Sequence, residues 1–218
     1  EKDWRKAIDI AEALPHEGVL WEKEVSNFHC ELASADIANS RFDDALVSIG
    51  RALEMNRKSV RASMLLGDLY AARGDDMAAL EATMKTIGDR IPANCLTLIE
   101  TTVAPGTTEH VAFPILQAAF ARRGIPTAPL LAHSFERVMP GREYVASIRD
   151  FWRVCSGIND TARARVARFL SEVLNVEKFP LTDLDRPIES ETCKIVENSY
   201  RATILAFLDE WSLFAERN

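Results

Sequence analysis

The sequence predicts an α + α/β fold class, with an all-helical half followed by an α/β half. Three observations predict this order. A helical pattern repeats within the first ninety or so residues, short apolar strands alternate with helices after about residue 90, and a long helix with an apolar stripe ends the sequence. We therefore expect helical repeats, then a partial parallel sheet with covering helices, and then a long C-terminal helix.

The composition excludes several classes of partner. The 218 residues are 47% hydrophobic and carry a formal net charge of −7, so the chain lacks the surplus of Lys and Arg that a nucleic-acid binder needs. No apolar run approaches the roughly 18 residues that cross a bilayer. We expect a globular chain with neither a nucleic-acid partner nor a membrane span.

Four dispersed cysteines, Cys30, Cys95, Cys155 and Cys193, predict free thiols rather than a metal site. They form no C-x-x-C pair, and no histidine lies at ligand spacing from them. Apolar neighbours around Cys30 and Cys95 favour burial in a reducing compartment. We therefore expect a cytoplasmic location and no metal.

The helical half repeats a bulky residue followed by a small alanine. This pair occurs as Trp4-x-x-Ala7, as Phe42-x-x-Ala45 and, one residue tighter, as Met77-x-Ala79. Ala45 and Ala79 lie 34 residues apart, which is the period of a tetratricopeptide repeat. With that period Ala33 and Gly67 occupy equivalent positions, and Arg73-Gly74-Asp75 supplies a turn between helices.

The stretches DWRKAIDIAEAL, FHCELA and RASMLLGDLYAARGDD resemble the tetratricopeptide region of the lipopolysaccharide assembly protein B family, over about residues 3–82. The resemblance implies protein binding on a helical repeat surface. We assign residues 1–86 to tetratricopeptide-like repeats.

After about residue 90 the spacing of apolar residues along the sequence changes. Short apolar stretches predict strands at 95–100, 129–133, 152–157 and 176–181, and helical patterns predict helices at 107–123, 160–174 and 189–211. Strands that alternate with helices predict a parallel sheet covered on its faces. We assign residues 87–188 to a partial Rossmann-like α/β domain and 189–218 to the start of a central dimerisation helix.

The first strand ends in an unusually polar tip. Glu100, Thr101 and Thr102 follow the strand, and Pro105-Gly106 turns the chain. We expect Thr107 or Thr108 to cap the next helix, with Glu109 in its first turn. Because ligands bind at the carboxyl ends of parallel strands, this tip is a candidate ligand edge, although a plain strand-turn-helix connection explains it equally well.

Two later stretches favour the ligand edge. Glu136, within SFERVMPGR, again places an acid after a strand, and Lys194, Asn198 and Arg201 form one row on the last helix. An apolar stripe runs beside this row through Cys193, Val196, Tyr200, Ile204, Phe207, Trp211 and Phe214.

Together, ETTVAPGTT, ERVMPGR and K-x-x-x-N-x-x-R resemble the UDP-glucose/GDP-mannose dehydrogenase family of nucleotide-sugar dehydrogenases, over about residues 84–218. ERVMPG is most similar to members that act on N-acetylated aminohexose nucleotides. The resemblance implies NAD-dependent oxidation of a sugar C6 alcohol to a carboxylate, through an aldehyde and a cysteine thioester, within polysaccharide biosynthesis.

The resemblance also implies roles for individual residues. Thr101 and Thr102 would lie near the nicotinamide and the catalytic water, Glu136 would place or deprotonate that water, and Lys194 with Asn198 would hold the oxygen that gains negative charge.

The remaining implied roles concern binding. Glu100 joins Thr101 as a cofactor-binding residue, and Arg137, Val138 and Arg201 are implied substrate-binding residues. Phe135 departs from the proline that the family usually has before the acid.

Two features predict that this chain alone is inactive. No G-x-G-x-x-G occurs in the sequence, so the cradle for the NAD pyrophosphate is missing. The resemblance also implies that the catalytic cysteine lies beyond the last helix. The chain would then be a fusion or fragment, natural or engineered. The alternatives are a tetratricopeptide scaffold without catalysis, and a homo-oligomer formed through the apolar stripe.

Overall fold

The computed structural model describes residues 3–13, 19–138 and 143–217. The chain divides into two compact units, which we call unit 1 (Glu1–Arg90) and unit 2 (Ile91–Asn218). No helix in the described ranges is long and apolar enough to cross a membrane.

Unit 1 is helical throughout its described elements. These are α1 (Trp4–Ala13), α2 (Val19–Ala38), α3 (Phe42–Met55), α4 (Val60–Ala72) and α5 (Asp76–Gly88). Each helix packs on the next along the chain. The tetratricopeptide assignment of these helices stays a prediction.

Small residues allow the helices of unit 1 to approach closely. Ala33 and Ala45 are fully buried in a cluster with Ile49 and Leu69. A Cβ added at Gly67 would lie 3.2 Å from the side-chain oxygen of Thr83 on α5, so glycine suits the close packing of α4 on α5.

The turn between α4 and α5 is confirmed where the sequence predicted it. Gly74 has a φ of +78°, a conformation that glycine adopts without steric strain. The side chain of Asp75 then accepts a hydrogen bond from the backbone N–H of Ala78 at 3.0 Å. Glycine therefore ends one helix and aspartate begins the next.

Unit 2 alternates strands and helices. Its elements are β1 (Leu96–Ile99), a π-helical segment (Thr108–Ala112), α6 (Phe113–Arg122), β2 (Leu130–Ser134), α7 (Tyr144–Arg149), β3 (Val154–Gly157), α8 (Asp160–Val173), β4 (Thr182–Leu184) and α9 (Pro187–Arg217). The predicted positions of the first three strands, of the helix that is now α8 and of the long last helix are confirmed within a few residues.

The four-stranded sheet is mixed, so the prediction of a parallel sheet is wrong. Its strand order is β1-β2-β3-β4, with β1–β2 and β3–β4 parallel and β2–β3 antiparallel. A parallel neighbour needs a crossover that carries the chain back along the whole strand. The helix between β2 and β3 has only six residues, and β3 begins at the edge where β2 ends.

The predicted strand at 176–181 is also wrong. Val176 and Leu181 pack against the core cluster of the sheet, and Phe179 stacks on Phe151, so their apolar character reflects burial in a turn. The strand itself is the next segment, Thr182–Leu184, which is mostly exposed at the sheet edge.

Helix α8 covers one face of the sheet. Val166, Leu170 and Leu174 are buried against Ala132 and Cys155. Such a packed layer fixes the strands, and therefore fixes the side chains that follow their ends.

Candidate active site

The ends of three strands meet at one edge of the sheet. Ile99 of β1 lies opposite His133 of β2 in a parallel register, so Glu100 and Glu136 both follow strands that end at this edge. Because β3 is antiparallel to β2, its first residues lie at the same edge, and they bring Arg153 there.

Glu100, an implied cofactor-binding residue, forms an ion pair with Arg153. The Arg153 side chain is 1% exposed and the Glu100 side chain is 41% exposed. Sequence reasoning missed Arg153, although a basic residue directly before a buried strand could have indicated it. Its Nε and Nη1 atoms have no hydrogen-bond partner among the described residues.

Lys194 of α9 lies against the tip that follows β2. Its Nζ donates a hydrogen bond to the backbone oxygen of Glu136 at 3.3 Å and sits 5.1 Å from the centroid of the Phe135 ring. Phe135 is 2% exposed, so its face is a fixed platform for the ammonium. The residue that departs from the family's proline therefore supplies a cation–π contact to Lys194.

One oxygen of the Glu136 carboxylate lacks a hydrogen-bond partner among the described residues. Its Oε2 atom is buried and accepts no hydrogen bond from any residue in the described ranges. A buried carboxylate oxygen without a donor favours a bound hydroxyl or water. The role of Glu136 in placing a catalytic water stays a prediction.

The implied substrate-binding arginines converge on one acid of α9. Arg137 Nη2 lies 2.8 Å from Glu197 Oε2, and Arg201 Nη2 lies 3.5 Å from the other carboxylate oxygen. Val138 is half-buried. The rest of the ERVMPGR motif, 139–142, lies outside the described residues.

The other predicted residues are accessible. Thr101 and Thr102 are exposed after β1, and Asn198 is exposed on α9, one helical turn beyond Lys194. The structure therefore brings Lys194 to Glu136, whereas Thr102 and Asn198 present their side chains to solvent.

The His133 side chain contacts the backbone of the tip that follows β1. Burial lowers the pKa of His133 below its ordinary 6.5, so the ring is neutral at neutral pH. Its Nε2 lies 3.3 Å from the Thr101 carbonyl, which only accepts, so Nε2 carries the proton. Because Nδ1 is then an acceptor, the single proton of the Ser190 hydroxyl goes to Nδ1 at 2.7 Å in preference to the Pro187 carbonyl oxygen, which lies 2.9 Å away. The Ser190 oxygen also lies 2.7 Å from the Ser156 hydroxyl.

A buried carboxylate from α9 caps the segment that follows the tip. Glu191 is 0% exposed and accepts hydrogen bonds from the backbone N–H groups of Gly106 at 2.5 Å and Thr108 at 2.7 Å. Gly106 has a φ of +92°, which turns its N–H toward the carboxylate. Sequence reasoning missed Glu191, although an acid one turn before Lys194 was a usable signal.

The predicted threonine cap is therefore wrong. The Thr107 hydroxyl instead donates to the Ala104 carbonyl at 2.6 Å, and the N–H of His110, which a cap at Thr107 could take, already bonds the Gly106 carbonyl at 2.8 Å. Glu109 lies in the first turn of the π-helical segment, as predicted, and pairs with Arg186 at 2.7 Å.

Cys155 and Cys193 lie in β3 and α9, two elements that border this edge. Burial raises the pKa of the Cys155 thiol to about 12, which leaves it without a reactive thiolate. Cys193 is exposed on α9, on the apolar stripe where the sequence placed it. Within the part of the chain that the structure describes, no group of acids, histidines and cysteines could hold a metal ion.

No protein-family model matches the chain. It is 28% identical to UDP-N-acetyl-D-mannosamine dehydrogenase of Pyrococcus horikoshii over 142 residues, 65% of this chain and 32% of that relative. It is 30% identical to the enzyme of the same name from Salmonella typhi over 143 residues, 63% of this chain and 33% of that relative.

A different relative matches a shorter stretch. Lipopolysaccharide assembly protein B of Escherichia coli K12 is 31% identical over 86 residues, 39% of this chain and 22% of that protein.

Solved structures agree with the dehydrogenase relatives. NDP-N-acetyl-D-galactosaminuronic acid dehydrogenase from Methanosarcina mazei Go1 superposes with a TM-score of 0.53 at 29% identity, covering 64% of this chain and 28% of that chain. The UDP-D-ManNAc dehydrogenase of Pyrococcus horikoshii gives a TM-score of 0.54 at 24% identity, a likeness of fold, covering 64% and 32%.

The chain therefore has homologues among the nucleotide-sugar dehydrogenases, as its motifs predicted. Those found by sequence are UDP-N-acetyl-D-mannosamine dehydrogenases, and a second similarity links the chain to lipopolysaccharide assembly protein B. The chain spans about a third of the length of these dehydrogenases.

Proposed function

We propose that unit 2 is a segment of an NAD-dependent nucleotide-sugar 6-dehydrogenase that oxidises the C6 alcohol of a UDP-hexose or UDP-N-acetylhexosamine to a carboxylate. The observation that carries the proposal is the contact of Lys194 with the Glu136 tip. The homologues named above support the reaction class, and their names favour an N-acetylhexosamine substrate.

The proposed roles follow from charge. Lys194 and Asn198 stabilise the oxygen that gains negative charge as hydride leaves C6, because a fixed cation and an amide donor are worth about 3–4 kcal/mol at such an oxygen when water is excluded. Glu136, whose buried Oε2 lacks a donor in the described residues, places or deprotonates a water.

The remaining roles concern binding. Thr102 lies beside that water, Glu100 and Thr101 line the cofactor side, and Arg137, Val138 and Arg201 bind the substrate. The pairing of both arginines with Glu197 supports a role in orienting an anionic or hydroxyl-rich ligand at α9.

NAD is the proposed hydride acceptor, and only part of its site fits the described residues. A helix N-terminus beside a strand tip commonly binds a pyrophosphate. Here the carboxylate of Glu191 fills that position at the N–H groups of Gly106 and Thr108. We therefore propose that the isolated chain does not reduce NAD.

Two assays test the function. The 218-residue chain should bind UDP-N-acetyl-D-mannosamine in calorimetry, and Lys194→Ala with Asn198→Ala should abolish that binding. In the second assay NAD is added to the chain and the UDP-sugar, and it should remain oxidised. Reduction of NAD by the purified chain would contradict the proposed inactivity, and binding that survives the double substitution would contradict the site.

A tetratricopeptide protein-binding scaffold is the second candidate. The similarity to lipopolysaccharide assembly protein B favours it, as does a groove of about 430 Å³ in unit 1 lined by residues that include Asp36, Val47 and Arg51. Partner capture by the full chain that is lost in Val47→Glu and kept in Lys194→Ala would support the scaffold.

Assembly and location belong to the same proposal. The exposed apolar stripe of α9 is proposed to form a homo-oligomer, and the free thiols of Cys30 and Cys155 suit the cytoplasm, where nucleotide sugars for polysaccharide biosynthesis are oxidised. Whether the fusion of the two units is natural or engineered is tested by the reading frame around the coding segment.

A further inference from the structure

Two neighbouring residues at the start of α9 hold opposite ends of one connection. Ser190 and Glu191 are both 0% exposed. Ser190 contacts His133, whose other ring nitrogen donates to the Thr101 carbonyl, and Glu191 accepts from the N–H groups of Gly106 and Thr108. We call residues 101–108 the tip connection.

These contacts are strong enough to fix a backbone. A buried carboxylate that accepts two short hydrogen bonds forms charge-assisted bonds, which are about twice as strong as neutral ones. The Gly106 and Thr108 N–H groups have this carboxylate as their common acceptor. Loss of such an acceptor would leave buried donors unpaired.

Lys194 follows on the same helix, one turn after Glu191. A helix is rigid over one turn, so whatever fixes Glu191 also fixes the position of the Lys194 backbone. The tip connection and Lys194 come from distant parts of the chain, yet an active site requires their side chains to keep a constant separation.

We propose that Ser190 and Glu191 are positioning residues that hold the tip connection, and with it Thr101 and Thr102, in register with Lys194. This inference rests on the proposed function for the roles of Thr102 and Lys194. The carboxylate of Glu191 fills the anion position at the start of the π-helical segment. The phosphates of a bound nucleotide therefore lie elsewhere.

Glu191→Ala in the full chain tests the positioning directly. The substitution removes the carboxylate and one methylene, which leaves a gap with the shape of acetate. By NMR, we expect the amide protons of Gly106 and Thr108 to exchange with solvent roughly 10- to 100-fold faster than in wild type. Acetate should restore their protection in the variant and change nothing in wild type.

Glu189→Ala is the matched control. Glu189 lies on the same turn and is exposed, and its carboxylate contacts only the Arg186 N–H among the bonds of the described residues. We expect wild-type exchange in this control. Unchanged protection in Glu191→Ala, or equal loss in Glu189→Ala, would overturn the proposal.

Ser190→Ala is a second variant in case Glu191→Ala fails to fold. The ¹⁵N shifts of the His133 ring should report the Nε2–H tautomer in wild type and a mixture of tautomers in the variant, because Nδ1 loses its donor. Exchange at Thr102 should also rise. A wild-type ring that carries its proton on Nδ1, or an unchanged Ser190→Ala spectrum, would contradict the positioning role.

A titration of UDP-N-acetyl-D-mannosamine separates this proposal from the proposed function. We expect Glu191→Ala to weaken binding by roughly tenfold or more while Glu189→Ala binds as wild type. Acetate rescue in a chain whose wild type binds no UDP-sugar would refute the function and leave the positioning intact. Equal affinity of wild type and Glu191→Ala would refute the positioning and leave the function intact.

Discussion

The Nζ atom of Lys194 lies 3.3 Å from the backbone oxygen of Glu136, so the start of α9 is held against the end of β2. From Ser199 to Arg217 the same helix is exposed at every residue. One helix therefore has two parts, a buried beginning that completes the sheet edge and an uncovered remainder.

Gly157→Ala should destabilise unit 2. A Cβ at this position would lie 2.3 Å from the backbone nitrogen of Arg163, and α8 would have to move away from β3. We expect the free energy of unfolding to fall by about 3 kcal/mol, the upper range for overpacking, because the clash is with backbone. Urea denaturation measures this free energy of unfolding.

Gly50→Ala is the matched control, since Gly50 lies in α3 and an added Cβ would have no described atom within 4 Å beyond its own stretch of helix. We expect this change to stabilise unit 1 by about 0.5–1 kcal/mol through helix propensity. Similar small effects for both glycines would contradict the described packing of α8 on β3.

His133→Gln should reduce the loss of stability in mild acid. Burial lowers the pKa of His133 from 6.5, with the Thr101 carbonyl and the charge of Glu191 opposing that shift. As the pH falls through 6.5, the unfolded chain binds a proton there that the folded chain does not, so stability falls until the lower folded pKa is reached. Each unit of displacement corresponds to about 1.4 kcal/mol.

The measurement is the free energy of unfolding between about pH 5 and pH 8, the range in which histidine titrates. His110→Gln is the control, because the His110 side chain is 71% exposed. We expect the pH dependence to flatten in His133→Gln and to persist in His110→Gln. Equal slopes in wild type and His133→Gln would argue against a buried neutral ring.

The uncovered part of α9 should cause self-association. Phe207 and Trp211 are 59% and 55% exposed, and their rings form a T-shaped contact with centroids 6.3 Å apart. Apolar surface of this kind is normally covered by a partner. In light scattering across a concentration series, we expect wild type to exceed the 24.4 kDa of one chain and Phe207→Glu with Trp211→Glu to return to it.

Met64→Glu is the control for charge, since Met64 is 61% exposed on α4 of unit 1. It should associate as wild type does. If wild type stays monomeric at every concentration, the proposal of a homo-oligomer is wrong.

Local patterns were enough to predict the strands that build the candidate site. The apolar runs that became β1 and β2 end in Glu100 and Glu136, and parallel pairing then places both acids at one edge. The spacing of Lys194 and Asn198 likewise predicted one helix face. Periodicity carries this information because it reports which residues are buried.

The residues that sequence reasoning missed act through contacts between distant segments. Glu191 caps a turn that lies more than eighty positions earlier, and Arg153 reaches Glu100 past the intervening strand β2. No local pattern encodes these pairings. The direction of β3 was mispredicted for the same reason, because strand polarity depends on the course of the preceding connection.

The assignments of residues 1–86, 87–188 and 189–218 to separate domains stay predictions, as do the roles of the site residues. The roles of the site residues depend on ligand binding, which residue spacing alone does not measure. The tests of Lys194, Asn198 and Glu191 address them.

The most direct test of the site is a calorimetric titration of UDP-N-acetyl-D-mannosamine into Lys194→Met and Lys178→Met. Both lysines lie over a phenylalanine ring, Lys194 at 5.1 Å from Phe135 and Lys178 at 5.4 Å from Phe179. We expect Lys194→Met to weaken binding by roughly tenfold or more, since it removes a charge at the proposed ligand site, while Lys178→Met binds as wild type. Equal binding by the two variants would contradict this expectation.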